Sequence, residues 1–103
     1  MKLHVWPTKD AEADVRELGE WWRENRRAAK DAFKNELSRV LGVLADTPNI
    51  GEPYVADIPG VRRMRLRRTP YHVYYIPRIE QADVVVIAVW SAQRGEGPPL
   101  RRP

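Results

Sequence analysis

Residues 84–90 read VVVIAVW, an unbroken apolar run of mostly β-branched side chains. It is far shorter than the ~20 residues a membrane-spanning helix needs, and its composition favours an extended strand. Side chains alternate between the two faces of a sheet, so a strand that is apolar at every position is buried on both. The run therefore belongs in the middle of a sheet, with a layer packed over each side. The rest of the chain must supply both layers, or leave one to another molecule.

One layer is helical. "PTKDAEADVRELGEWWRENR" opens with Thr8 as an N-cap and places Asp10, Glu12 and Asp14 near the positive helix end. Ala11, Val15, Leu18 and Trp22 form a single apolar stripe, and Arg23, Arg26 and Arg27 fall in the last turn, where the dipole favours cations. Ala29, Phe33, Leu37, Val40, Leu41 and Leu44 mark the buried face of a second helix. Only "ENRRA" separates the two, which predicts an antiparallel helical hairpin. Trp21 is turned ~100° from Trp22 and is either a flank of the core or an exposed anchor for a partner.

"DTPNIGEPYVADIPG" breaks helicity and reads as a loop. Strands are predicted over Val61–Arg67, Tyr71–Pro77 and Asp83–Trp90, and their short connections make an antiparallel meander. With "KLHVW" as a first strand the order is β-α-α-β-β-β. Residues 1–103 form one α+β domain, a helical hairpin packed on a small, mainly antiparallel sheet, with an irregular tail over about residues 91–103. The second cover of the apolar strand falls to that tail, the long loop or another protein.

Residues 1–60 carry nine Lys/Arg against eleven Asp/Glu and residues 61–103 carry nine against three, dividing a net +4 into −2 and +6. A basic half of this kind meets phosphates or an acidic protein, or is simply a solvated face. Its densest part is "GVRRMRLRRTPYHVYYIP", residues 60–77. Alternation puts Met64 and Leu66 on one face with Val73 and Tyr75, and Arg63, Arg65 and Arg67 on the other with His72 and Tyr74.

Several chemistries are excluded or disfavoured. The chain has no cysteine, so it holds no disulfide, thiolate metal site or thiol nucleophile, which fits a reducing cytosol. "MKLHVWPTKD" lacks the apolar stretch of a signal peptide. His4 and His72 are the only histidines and have no carboxylate at ligand spacing, so neither a metal nor another cofactor is expected. Ser38 and Ser91 lack a nucleophile-elbow context, and the glycines after Arg94 are not followed by the Lys-Ser/Thr of a phosphate loop.

Three segments carry a family resemblance: "LADTPNIGEPY", "VRRMRLRRTPYHVYYIP" and "VIAVWSAQRGEGPPL". In this order and spacing, over roughly residues 8–100, the chain resembles the RelE/ParE superfamily of bacterial type II toxin–antitoxin toxins. The resemblance implies a cytoplasmic toxin, such as serves plasmid stabilisation, bound by a cognate antitoxin with an acidic segment. RelE-like members are ribosome-dependent messenger-RNA endonucleases, whereas ParE-like members poison DNA gyrase without cutting RNA. Arg63 and Arg65 stand where the nuclease has catalytic lysines, and His72 where it has an arginine. Ala92 falls at another of its arginines, with Arg94 close by, and the tail after Trp90 has no Tyr, His or Lys.

RNA cleavage needs a base for the 2′-hydroxyl, charge stabilisation at phosphorus and an acid for the leaving oxygen. Arginine is a poor base with a pKa above ~12, so His72 is the one group on this face that titrates near neutrality. The ParE-like, non-catalytic reading therefore leads. Arg63, Arg65, Arg67, Tyr74 and Trp21 are its expected antitoxin-binding residues, and Trp90 and Arg94 its target-binding pair. In the nuclease alternative His72, Arg63, Arg65 and Arg94 are the catalytic set.

Overall fold

The computed structural model describes residues 2–103. Strand β1 (His4–Pro7) leads into helix α1 (Lys9–Asn25), a 3-10 turn at Arg27–Ala29 and helix α2 (Ala32–Asp46). Four strands follow: β2 (Glu52–Pro53), β3 (Arg62–Arg65), β4 (Tyr71–Arg78) and β5 (Asp83–Ser91). Thr8 caps α1 as predicted, its Oγ1 accepting from Ala11 N–H at 3.2 Å. The helix ends at Asn25, so of the three predicted C-terminal arginines only Arg23 lies in the last turn. Ala29 is exposed in the 3-10 turn rather than on the buried face of α2.

The sheet order is β1-β5-β4-β3-β2, with β1 parallel to β5 and every other pair antiparallel. The apolar strand β5 is thus internal along its first half, where β1 pairs with Asp83–Val86. The β4–β5 register shifts between Tyr74 and Tyr75: Tyr74 faces Ala88, Tyr75 faces Val86, and Ile87 is the extra residue. Such a bulge resets the alternation, and Ile87 and Ala88 both pack on the same side.

α1 and α2 cover one face. Ala11, Trp22, Phe33, Val40 and Leu44 meet Tyr71, Val73, Tyr75, Val84, Val86 and Val89 there. The indole N–H of Trp22 donates to the Tyr71 hydroxyl at 2.9 Å, satisfying both polar tips inside the core. The second face is closed by the chain itself: Ile58 and Val61 of the loop join Tyr74, Val85, Ile87 and Ala88, with Trp6, Tyr54 and Leu100 packed on them. No partner molecule is needed to cover this strand.

Two segments depart from the expected outline. The loop after α2 contributes β2, an edge strand whose Glu52 and Pro53 pair with Arg63 and Arg62. Strand β3 stops at Arg65 instead of running to Arg67, because the chain turns there around Glu36 of α2. That carboxylate accepts from Arg68 N–H (2.7 Å), Thr69 N–H (2.9 Å) and Thr69 Oγ1 (2.8 Å).

Candidate functional site

The β3–β4 register sets Arg63 opposite Tyr74 and Arg65 opposite His72, and β4–β5 continues the second row to Trp90. Arg65, His72 and Trp90 thus form one cross-strand line on the face away from the helices. Arg67 does not join it, since it lies in the turn beyond β3 and the pleat no longer aims it. Tyr74 is on this face but only 2% exposed, its ring edge-on to Tyr54 at 4.9 Å. It supports the surface from beneath and offers no ring to a partner.

The arginines are partly committed within the fold. Arg63 Nε donates to Glu52 Oε1 at 2.6 Å, and its guanidinium lies 5.2 Å from the Tyr54 ring centroid. Hydrogen bonds to Glu52 and Tyr74 raise its pKa further. Arg65 Nη1 donates to the carbonyls of Leu66 (2.9 Å) and Thr69 (2.8 Å), closing the turn that Glu36 holds from the other side. Arg62, on the helix-facing parity, ties the loop through Asn49 O (3.2 Å) and Gly51 O (2.6 Å).

His72 is half-buried between these rows. Partial burial, then the charges of Arg63 and Arg65, hold its pKa below the ordinary imidazole value against an opposing pull from Glu52. At pH 7 the ring is neutral. The guanidinium of Arg94, from the segment after β5, stacks on Trp90 at 4.6 Å, so these two do form a contiguous cationic and aromatic patch beside His72.

Trp21 is elsewhere. It is 44% exposed on α1, on the opposite layer from Arg63 and Arg65, with Arg26 stacked on it at 5.4 Å. Its ring also packs edge-on against core Trp22 at 5.8 Å, so it flanks the core while leaving much of its surface to solvent.

Three features escaped the sequence reading. The first is a groove of about 360 Å³ between α1, α2 and β5. Val15, Leu37, Leu41, Val86 and Val89 line its interior, and exposed Arg16, Arg23, Lys34 and Glu12 line its mouth. The second is Glu36, whose position between Phe33 and Val40 on an apolar stripe was the available signal. Burial pushes its carboxyl up, but the bonds from Arg68 and Thr69 outweigh this and the net shift is downward. The third is Asp14, which accepts Val89 N–H at 3.0 Å where β5 has outrun β1. Burial raises its pKa, the Val89 bond lowers it, and Glu17 and Asp10 add to the rise, which prevails.

Among the described residues no cluster of three or more His, Cys, Asp or Glu could hold a metal ion, and no helix is long and apolar enough to cross a membrane. Among the described residues no hydrogen bond pairs His72 with a second titrating side chain, and its ring packs edge-on to Tyr74 at 6.0 Å.

No curated protein sequence matches the chain significantly. Among solved structures the fold is shared with a chain of the chromosomal ParDE system of Pseudomonas aeruginosa, at 15% identity and a TM-score of 0.71, covering 89% of this chain and 98% of that one. It is shared also with a chain of the RelBE2 toxin–antitoxin complex of Mycobacterium tuberculosis (21% identity, TM-score 0.59, 88% and 99% covered). A third is the RelE toxin of Escherichia coli, as a double arginine-to-alanine mutant in the free state (20% identity, TM-score 0.58, 90% and 86% covered). These likenesses concern the fold. The family model described as "ParE toxin of type II toxin-antitoxin system, parDE" matches residues 5–95, nearly the whole domain, and the chain belongs to that ParE toxin family.

Proposed function

We propose that this toxin acts by binding and inhibiting DNA gyrase, without cutting RNA, and that a cognate antitoxin with an acidic segment neutralises it. The observation that carries the non-catalytic reading is the state of the open sheet face. Arg65 is engaged by two turn carbonyls, Arg63 by Glu52, and the lone histidine is neutral without an acid–base partner. Charge stabilisation alone leaves the proton transfers of RNA cleavage unserved.

The antitoxin contact follows from where cations and apolar surface coincide. Arg16, Arg23 and Lys34 around the helix groove give an acidic amphipathic segment both an apolar seat and a positive rim. Trp21 with Arg26 offers, on the same helical layer, an anchor of the kind that dominates interface energies. Arg63, Arg65 and Arg67, on and beside the far face of the sheet, add long-range attraction for an acidic segment that wraps around to it. Trp90 and Arg94, stacked on one another, are the contact assigned to the target.

The test is a supercoiling assay with purified gyrase and relaxed plasmid. The protein is expected to inhibit supercoiling, added antitoxin to restore it, and a messenger RNA present on ribosomes to stay intact. Unimpaired supercoiling together with ribosome-dependent RNA cleavage would replace this reading with the nuclease one.

A further inference from the structure

The far face of the sheet is closed by the chain's own C-terminal tail, and the contacts have a recognisable chemistry. Past Arg94 the tail turns through Gly95 and Gly97 and returns across β5. Trp90 Nε1 donates to Glu96 O at 3.1 Å, and Gly97 lies so close to Tyr54 that an added Cβ would collide with the hydroxyl. Leu100 packs on the apolar cluster of Ile58, Ile87 and Ala88. Arg101 Nε approaches Asp10 Oδ2 at 3.6 Å, beside the acidic first half of α1.

We propose that the groove between α1 and the far face of β5 is a docking site for an extended Pro-Pro-Leu-Arg segment, occupied in cis by residues 98–101 as a releasable strap. This goes beyond the toxin reading and does not depend on it. A Pro-Pro pair is pre-organised in an extended conformation, and aromatic grooves recognise such segments at little entropic cost. Here Trp90 stands beside Pro98 and Pro99, the apolar cluster receives Leu100, and Asp10 meets Arg101. The charges match as well: the tail brings Arg101 to the side of α1 that carries Asp10 and Asp14.

The same contacts make the strap releasable. Ala92 N–H to Pro70 O is the last backbone–backbone hydrogen bond along the described chain. The Arg101–Asp10 pair is exposed, 79% and 51%, and such pairs contribute little. Pro98 and Pro99 bridge a cavity of about 170 Å³ above Ile87 and Ala88 rather than filling it. Release uncovers those two residues next to Trp90 and gives the toxin a second apolar surface.

Trypsin cleavage after Arg94, followed by mass spectrometry, reports the open population of the full chain. Leu100→Asp removes a half-buried leucine and is expected to speed that cleavage about tenfold, with far-UV circular dichroism unchanged. Asp10→Asn should speed it by no more than about fivefold, and 0.5 M NaCl should act on the native chain in the same way. A synthetic Gly-Pro-Pro-Leu-Arg-Arg-Pro peptide should bind the Leu100→Asp chain, read by tryptophan fluorescence, while the same peptide with Asp for Leu should not. Equal cleavage rates in native and Leu100→Asp chains, or failure of the Leu-containing peptide to bind the strap-released variant, would overturn the proposal.

Discussion

Replacing Glu36 by Ala removes the acceptor for Arg68 N–H, Thr69 N–H and Thr69 Oγ1, which lie 2.7, 2.9 and 2.8 Å from its carboxylate. Thr69 is 1% exposed and Glu36 only 5%, so water cannot take over the two threonine donors; Arg68, being exposed, can reach solvent. Two unsatisfied buried donors at ~1–3 kcal/mol each put the loss at about 2–6 kcal/mol, a large share of the ~5–15 kcal/mol that holds a domain together. With a urea dependence of ~1–3 kcal/mol per molar, the unfolding midpoint should fall by about 1–3 M. Glu36→Gln keeps the shape and one acceptor oxygen and should lose roughly half as much. The folded pKa of Glu36 is depressed, so its stabilisation is present above the ordinary Glu value of 4.5 and disappears as pH falls through the lower folded value. The native chain should therefore lose more stability on acidification than Glu36→Gln, which keeps the loss due to Asp83 and the other carboxylates but not that of Glu36. Urea unfolding followed by tryptophan fluorescence at pH 7 and pH 3 measures both effects. A Glu36→Ala midpoint within about 0.3 M of the native one would refute the claim that this carboxylate holds the β3–β4 turn, and with it the placement of Arg65.

Asp83, bonded by Arg78 and secondarily by Trp6, has its pKa lowered to about 2, so its stabilisation is complete above pH ~4 and is lost between there and ~2. Asp83→Asn should cost about 1–2 kcal/mol at pH 7, discounted for the partly exposed Arg78, and its acid unfolding curve should be shallower. At Gly51 an added Cβ would lie 2.5 Å from the Tyr75 hydroxyl and 2.7 Å from Arg63 O, so Gly51→Ala should lower thermal stability by ~1–3 kcal/mol. His72→Gln should leave growth arrest on induction essentially unchanged, whereas a nuclease would lose ~10²–10⁴-fold in RNA cleavage. Arg23→Glu with Lys34→Glu, both exposed at the helix groove, should slow antitoxin association at least tenfold in stopped-flow at low salt, with less effect at high salt.

Periodicity made the layers legible. The apolar stripes of α1 and α2, the pleat of β4 and the two-sided burial of β5 are local signals, and each element lies close to where those signals put it. What failed depends on contacts far apart in sequence. The early end of β3 is set by Glu36, over thirty residues upstream of Arg68 and Thr69, which draws the chain into a turn and takes Arg67 off the sheet. Tyr74 sits at an open-face position, yet Tyr54 closes over it from a loop whose path no pattern reports. Alternation could assign the arginines to a face, but not tell that Arg65 directs its donors to the Leu66 and Thr69 carbonyls. The helix groove is a gap between three elements and has no sequence signature.

The most direct test of a binding toxin is to induce the chain alone in bacteria and follow chromosomal DNA breaks and messenger-RNA integrity in the same culture. With His72 neutral and unpaired, and Arg63 and Arg65 held in the fold, growth arrest should come with DNA breaks while transcripts remain full length. Rapid transcript cleavage before any DNA damage, abolished by His72→Gln, would show that the open sheet face is an active site.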